Sequence, residues 1–161
     1  MHRIGLGYDS HRLAPGRALI LGGVRIDHPL GLAGHSDADA VLHAVTDAIL
    51  GACGSGDIGE QFSDTDPRWA GADSAIFLRH AVEMAGTKGW SVGNCDVTIL
   101  AEEPKLGPYK PRMRARLAEL LGVSADAVAV KAKTNEGMGA IGRGEGIAVL
   151  AAVMLVADDA R

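Results

Sequence analysis

Ile4-Gly5-Leu6-Gly7-Tyr8-Asp9-Ser10-His11 opens the chain with a run of strand length and period-two character. In such a strand residues two apart share a side, so Asp9 and His11 point the same way. A turn at Pro15 and Gly16 follows, and then residues 18–21, the pair Gly22 and Gly23, and residues 24–26 read as a strand pair. Ser36 is placed to cap a helix over 37–53, with Asp39 three positions on standing in for the Glu or Gln of a capping box. Val41, Val45, Ala48 and Ala52 give that helix an apolar face, widened by Leu42 and Ile49. Asp39, His43 and Asp47 fall four apart on a separate polar stripe.

Residues 54–72, rich in Gly, Asp and Pro, read as a loop whose length implies a task or a short local element. Beyond it the pattern predicts a helix over 74–88, a strand over 90–101, a helix over 109–121 ending at Gly122, and strands over 128–133 and 147–156. No repeat or linker interrupts them. The expectation is one catalytic domain spanning 1–161, an α/β or α+β sandwich in which helices cover a sheet. With 22 glycines and only 4% aromatic residues, the core is built from small aliphatics packed at close backbone distances. A formal charge of -4 excludes general attraction to nucleic acid or anionic lipid and points to a small-molecule partner. Cys53 and Cys95 form neither a CxxC pair nor a disulfide framework, and no signal peptide or membrane span is evident, which fits cytoplasmic residence.

Asp9 and His11, joined by His43 from the helix, offer one oxygen and two nitrogen donors. That set suits tetrahedral zinc with an open fourth position; manganese or another transition metal fits the same donors, and calcium suits two imidazoles less well. Taken singly, each is as well read as an ordinary surface carboxylate or hydrogen-bonded histidine. Asp39 and Asp47 are placed either to orient His43 or to cap and solvate the helix. His35 stands just before the cap, where a metal and a helix N-terminus would meet a phosphate. The loop over 57–66 offers backbone donors around Gly59 and carboxylates better suited to sugar hydroxyls than to bare phosphate. Residues 101–106 and 132–136 each follow a strand, a usual place for a ligand cleft; Thr134 supplies a hydroxyl, Glu136 a magnesium-binding carboxylate, and Lys105 or Lys133 positive charge. Arg143, between Gly142 and Gly144, is placed for a phosphate or for an intersubunit pair with Glu145, although the stretch is no P-loop. Lys110, Arg112, Arg114 and Arg116 read as a solvated face.

Taken together, residues 3–11, His35-Ser36-Asp37-Ala38-Asp39 through His43, Thr46-Asp47-Ala48, Asp57-Ile58-Gly59, Phe62-Ser63-Asp64-Thr65-Asp66-Pro67, Asp96-Val97-Thr98-Ile99, Pro104-Lys105, Thr134-Asn135-Glu136 and 142–146 form a recognisable order. The chain resembles the 2-C-methyl-D-erythritol 2,4-cyclodiphosphate synthases of non-mevalonate isoprenoid biosynthesis over about 3–156. The resemblance implies a homotrimer with active sites between neighbouring subunits. It implies one zinc or similar divalent transition metal on Asp9, His11 and His43, and magnesium or manganese with the substrate diphosphate. His35 and Thr134 would act at the reacting diphosphate. Asp57, Gly59, Phe62, Ser63, Asp64, Thr65 and Asp66 would form the methylerythritol-phosphate pocket. Ala101, Pro104, Lys105, Leu106, Ala132, Lys133, Asn135 and Glu136 would form the cytidine-diphosphate side, with Arg143 near the substrate or the trimer axis. Lys133 and Asn135 stand where relatives often carry hydroxyl residues, and Ala140 lacks an aromatic ring found in some.

The implied activity is that of a metal-dependent phosphorus-oxygen lyase, converting 4-diphosphocytidyl-2-C-methyl-D-erythritol 2-phosphate into the cyclodiphosphate and CMP. The residues by themselves leave open a phosphoesterase that activates water at the same triad, or a noncatalytic phosphometabolite-binding or structural trimer.

Overall fold

A computed structural model describes residues 1–63 and 65–158. The opening strand is longer than its pattern predicts: β1 runs over His2–Pro15 and pairs antiparallel with β7, Gly146–Ala157, from His2 opposite Val156 to Arg12 opposite Gly146. β5, Trp90–Leu100, lies antiparallel on the other side of β7, and β6, Val128–Lys133, lies parallel to β5. A short strand absent from the sequence reading, β4 at Leu30–Leu32, completes the order β4-β1-β7-β5-β6. The expected strand pair is β2, Leu19–Leu21, with β3, Val24–Ile26. Gly22 and Gly23 join them, both at positive φ, as a two-residue turn matching the twist of its strands requires.

Helices cover one face of this mixed sheet. The covering helices are α1 at Ala40–Ala52, α3 at Ala75–Thr87 and α4 at Lys110–Leu121; the one-turn helices α2 at Ile58–Gln61 and α5 at Gly139–Gly142 bury no residue. Leu42, Ile49, Leu78, Met113, Leu117, Ile99 and Ile147 are fully buried between the layers. The central β7 is apolar almost throughout, as a strand flanked on both sides should be.

The nearest approach of the layers is between β1 and α1. A Cβ on Gly5 would lie 1.7 Å from the Ala48 carbonyl oxygen, and one on Gly7 would lie 1.8 Å from that of Ala44. Alternation then sends Ile4, Leu6 and Tyr8 to the opposite face, where they are 74%, 78% and 59% exposed. Register adds Leu150 beside Tyr8 and Met154 beside Ile4, so among the described residues no element covers that part of the sheet.

α1 begins three residues later than its capping pattern predicts. Ala38 sits at φ 59°, in the left-handed region, so residues 37–38 cannot continue a right-handed helix. Asp39 is the N-cap, not an interior position: its Oδ1 accepts from the Val41 and Leu42 amides, at 3.1 Å each. The same carboxylate accepts from Gly22 N–H at 2.9 Å and Gly23 N–H at 2.6 Å, fastening the β2–β3 turn to the helix. The predicted 54–72 loop contains α2 and a 3-10 turn at Pro67–Trp69.

Gly7→Ala should destabilise the protein by about 3 kcal/mol or more, the upper end of overpacking costs, or prevent folding. Gly51→Ala lies in the same helix with nothing within 4 Å of the added methyl, and should stabilise by about 0.5–1 kcal/mol. Urea unfolding of the two variants measures both.

Candidate metal centre and adjoining clefts

Asp9 and His11 emerge from β1 on the face that carries Gly5 and Gly7, and His43 comes down from the first turn of α1. Asp9 Oδ2 lies 2.8 Å from His11 Nε2 and 3.0 Å from His43 Nδ1, and the two ring nitrogens are 3.4 Å apart. Three donors held at 2.0–2.1 Å around a tetrahedral zinc stand about 3.3 Å from one another, so these atoms need little rearrangement to surround one ion. Among the described residues this is the one grouping of three such side chains close enough to do so. His11 donates from Nδ1 to the Ala33 carbonyl at 2.7 Å, which leaves the Nε2 lone pair facing the centre.

Burial alone would raise the pKa of Asp9, but hydrogen bonds and opposite charge from His11 and His43 outweigh it and hold the carboxyl well below the usual range. For His11, burial disfavours the charged ring, yet Asp9 and the Ala33 carbonyl prevail and move its pKa upward. Asp47 does not meet His43; it accepts from the Ile58 amide at 2.8 Å and ties α2 to α1.

The triad opens into a cleft of about 400 Å³ that also takes in His35, Gly59, Phe62 and Ser63. Gly34, Ser36, Ile58, Trp69 and Phe77, which pattern alone did not single out as site residues, line it too. Phe62 packs edge-on against Trp69 at 5.2 Å between centroids and 4.7 Å from Phe77, forming an aromatic wall. Asp57, Thr65 and Asp66 do not line this cleft. Asp57 caps α2 through the Glu60 amide, Thr65 bonds the Ser63 hydroxyl, and Asp66 caps the 3-10 turn and pairs with Arg68. Asp64 lies outside the described residues. The wall is anchored to the segment before α1 by three bonds: His35 Nε2 donates to the Asp66 carbonyl, Gly71 N–H to the His35 carbonyl, and Asp37 N–H to the Ala72 carbonyl.

A second cleft, about 320 Å³, lies past the ends of β5 and β6. It gathers Ala101, Pro104, Lys105, Leu106, Ala132, Lys133 and Thr134, with Glu102 and Lys110 beside them. Asn135 and Glu136 do not line it. Glu102 takes the Asn135 amide at 2.7 Å, while Glu136, at φ 51°, accepts from the Thr134 hydroxyl. Arg143 instead pairs with Glu145 at 2.7 Å and borders a neighbouring cavity that shares Glu102 and Lys105.

A mixed sheet under one helical layer, with a carboxylate-imidazole triad at the head of a cleft, defines a small α/β enzyme built around a metal-binding centre. The chain belongs to the YgbB family, which it matches over residues 2–156. It is 57% identical over 153 residues to 2-C-methyl-D-erythritol 2,4-cyclodiphosphate synthase of Bordetella avium, covering 95% of this chain and 94% of that one. A solved CDP-bound 2C-methyl-D-erythritol-2,4-cyclodiphosphate synthase superposes with a TM-score of 0.88 at 41% identity, over 96% of this chain and all of that one. The bifunctional IspDF of Campylobacter jejuni matches with a TM-score of 0.95 at 41% identity, over 99% of this chain and 43% of that longer one.

Removing any one of the triad, by Asp9→Ala, His11→Ala or His43→Ala, should weaken zinc binding by at least about 100-fold in calorimetric titration. A metal must displace the proton from His11, and in the metal-free protein that proton is held more tightly than on a free imidazole. Zinc affinity should therefore begin to fall, as pH is lowered, above the pH of about 6.5 at which an unperturbed imidazole protonates.

Proposed function

We propose that residues 1–161 form one catalytic domain that cyclises 4-diphosphocytidyl-2-C-methyl-D-erythritol 2-phosphate to 2-C-methyl-D-erythritol 2,4-cyclodiphosphate with release of CMP. The observation that carries this reading is the pair of complementary clefts, one headed by the metal triad and one edged by Lys105, Lys133 and Thr134. That a relative is known in a CDP-bound form supports a cytidine diphosphate ligand, and the lysines and strand-end hydroxyl are the reason we assign it to the second.

The 2-phosphate oxygen attacks the β-phosphorus, and the bond from that phosphorus to the bridging oxygen breaks as CMP departs. No protein nucleophile is needed. The kinetic obstacle is the approach of two anions, which fixed positioning makes an intramolecular event. A zinc or similar divalent ion on Asp9, His11 and His43 would polarise a phosphate oxygen and offset its charge, as magnesium or manganese near Glu136 would for the diphosphate. His35, exposed at the mouth of the first cleft, and the Thr134 hydroxyl, in the second, would donate to phosphate oxygens by exchanging the Asp66 carbonyl and the Glu136 carboxylate, which they meet without substrate, for the ligand. Gly59, Phe62 and Ser63 enclose the methylerythritol end against the aromatic wall. Asp57, Thr65 and Asp66 contribute by shaping that loop or reaching hydroxyls, and Asn135 and Glu136 by shaping the turn beyond Thr134.

Among the described residues the two clefts share no lining residue. We place the substrate between subunits of a homotrimer, with the metal cleft of one facing the nucleotide cleft of the next and Arg143 near the trimer axis. The uncovered sheet face of Ile4, Leu6, Tyr8 and Leu150 supplies apolar surface for that assembly. Among the described residues no helix is long and apolar enough to cross a membrane, and two buried free thiols, Cys53 and Cys95, suit the cytoplasm.

Purified protein loaded with zinc and magnesium should yield CMP and cyclodiphosphate in equal amounts by mass spectrometry. A phosphoesterase would instead incorporate solvent oxygen-18, and a noncatalytic binder would return the substrate unchanged. Thr134→Ala should lower kcat by about 100-fold, the scale for losing one transition-state donor. Leu6→Glu should shift the assembly from three chain masses toward one in light scattering, with activity falling in parallel.

A further inference from the structure

A serine immediately before a helix ordinarily gives its side chain to the helix's free amides. Ser74, just before α3, does not: it makes no capping bond, is fully buried, and turns its hydroxyl toward His43. The Ser74 hydroxyl oxygen lies 2.8 Å from His43 Nε2, the ring nitrogen opposite the one that faces Asp9 and His11.

Counting protons assigns the ring's form. The Ser74 hydroxyl donates to Asp37 Oδ1, and the Ser74 amide donates to Oδ2 of the same carboxylate at 3.2 Å. A carboxylate only accepts, so the single hydroxyl proton of Ser74 is committed there and its oxygen faces His43 as an acceptor. His43 Nε2 must then carry a hydrogen and donate it. Ser36 supports the arrangement: its oxygen accepts the Ala38 amide at 3.1 Å, leaving its proton to reach the Ser74 oxygen at 3.4 Å. Its own oxygen is a more distant partner for His43 Nε2, at 3.1 Å. Asp37 is held in turn by the Asp39 amide on Oδ1, at 3.1 Å, and by its own amide on the Ala72 carbonyl, at 3.0 Å.

We infer that Ser74 and Asp37 are a positioning pair for the metal centre: through a carboxylate-hydroxyl-imidazole relay they keep hydrogen on His43 Nε2 and aim the Nδ1 lone pair at the ion. The inference depends on Asp9, His11 and His43 being the metal site. His11 has a backbone carbonyl for the same task, whereas His43 depends on side chains contributed from outside its own helix.

Zinc affinity by chelator competition and long-range proton-nitrogen NMR of the histidines test the pair. In zinc-loaded wild type, His43 should show a hydrogen on Nε2 protected from solvent exchange and a metal-shifted Nδ1. Ser74→Ala should weaken zinc binding by about 10–100-fold and expose that hydrogen to rapid exchange. Asp37→Asn keeps the shape and a weaker acceptor, so it should lose less in the same direction, and Ser36→Ala should also lose less than Ser74→Ala. An Nδ1-protonated, Nε2-ligating His43 in the wild type overturns the pair without recourse to any variant. So does a folded Ser74→Ala protein whose affinity stays within about threefold of wild type while His43→Ala remains impaired. Wild-type affinity in His43→Ala overturns the metal site itself, and the pair with it.

Discussion

The contact on which the rest depends is the one between the backbones of β1 and α1. Helix carbonyls of Ala44 and Ala48 occupy the space where side chains at positions 5 and 7 would otherwise project. Glycine at both positions lets helix and strand come within backbone contact, and alternation along the strand carries the next two residues on that face, Asp9 and His11, just beyond the helix start. His43, one turn into α1, then projects over them, with Ser74 against the far side of its ring. The separations of 2.8 to 3.4 Å among the three donor atoms thus rest on main-chain packing together with the groups that hold the two rings, the Ala33 carbonyl and Ser74. The Asp39 carboxylate reinforces it, fixing the start of α1 and the Gly22–Gly23 turn with four amide bonds.

Around that centre, charge is apportioned unevenly. The metal cleft is walled by aromatic rings and holds its carboxylate ionised through two histidines, an environment that favours one concentrated positive charge. The second cleft carries lysines at its rim and its hydroxyl at the end of a strand, an environment suited to spreading negative charge over several weaker contacts. A substrate with phosphate at one end and a nucleoside diphosphate at the other matches the two in kind. Turnover then rests on distance and field, with no residue asked to form a covalent bond.

The strands β1, β5, β6 and β7, the helices α1, α3 and α4, and the Gly-Gly strand pair were legible from pattern and length, and the apolar face of α1 from its repeating buried side chains. Less legible was whatever a single backbone angle or a distant contact decides. The start of α1 turns on one alanine in the left-handed region, which composition does not announce, so Ser36 resembled a cap it does not form. β4 and α5 are too short to show a period. In the site, Asp9, His11 and His43 were recoverable from spacing and donor type, and the residues after β5 and β6 from their place at strand ends. Asp57 and Asp66 stand before Ile58 and Pro67, where a carboxylate also serves as a helix cap, and that is how the structure uses them. Ser74 carried no usable signal, because its role is defined by a partner 31 positions away.

The segment before α1 is fastened along its length to residues 66–74, by the His35 ring and carbonyl, the Asp37 amide and the Asp37 carboxylate. One stretch of chain therefore serves as footing for two things at once, the aromatic wall and the ring of His43. In evolutionary terms the breadth of the pocket and the character of the metal are not separately adjustable: reshaping the wall for a bulkier substrate disturbs the support of a ligand, and softening that support loosens the wall. Diversification of this scaffold is easier at the second cleft, whose lining residues are not fastened to the triad, than at the first.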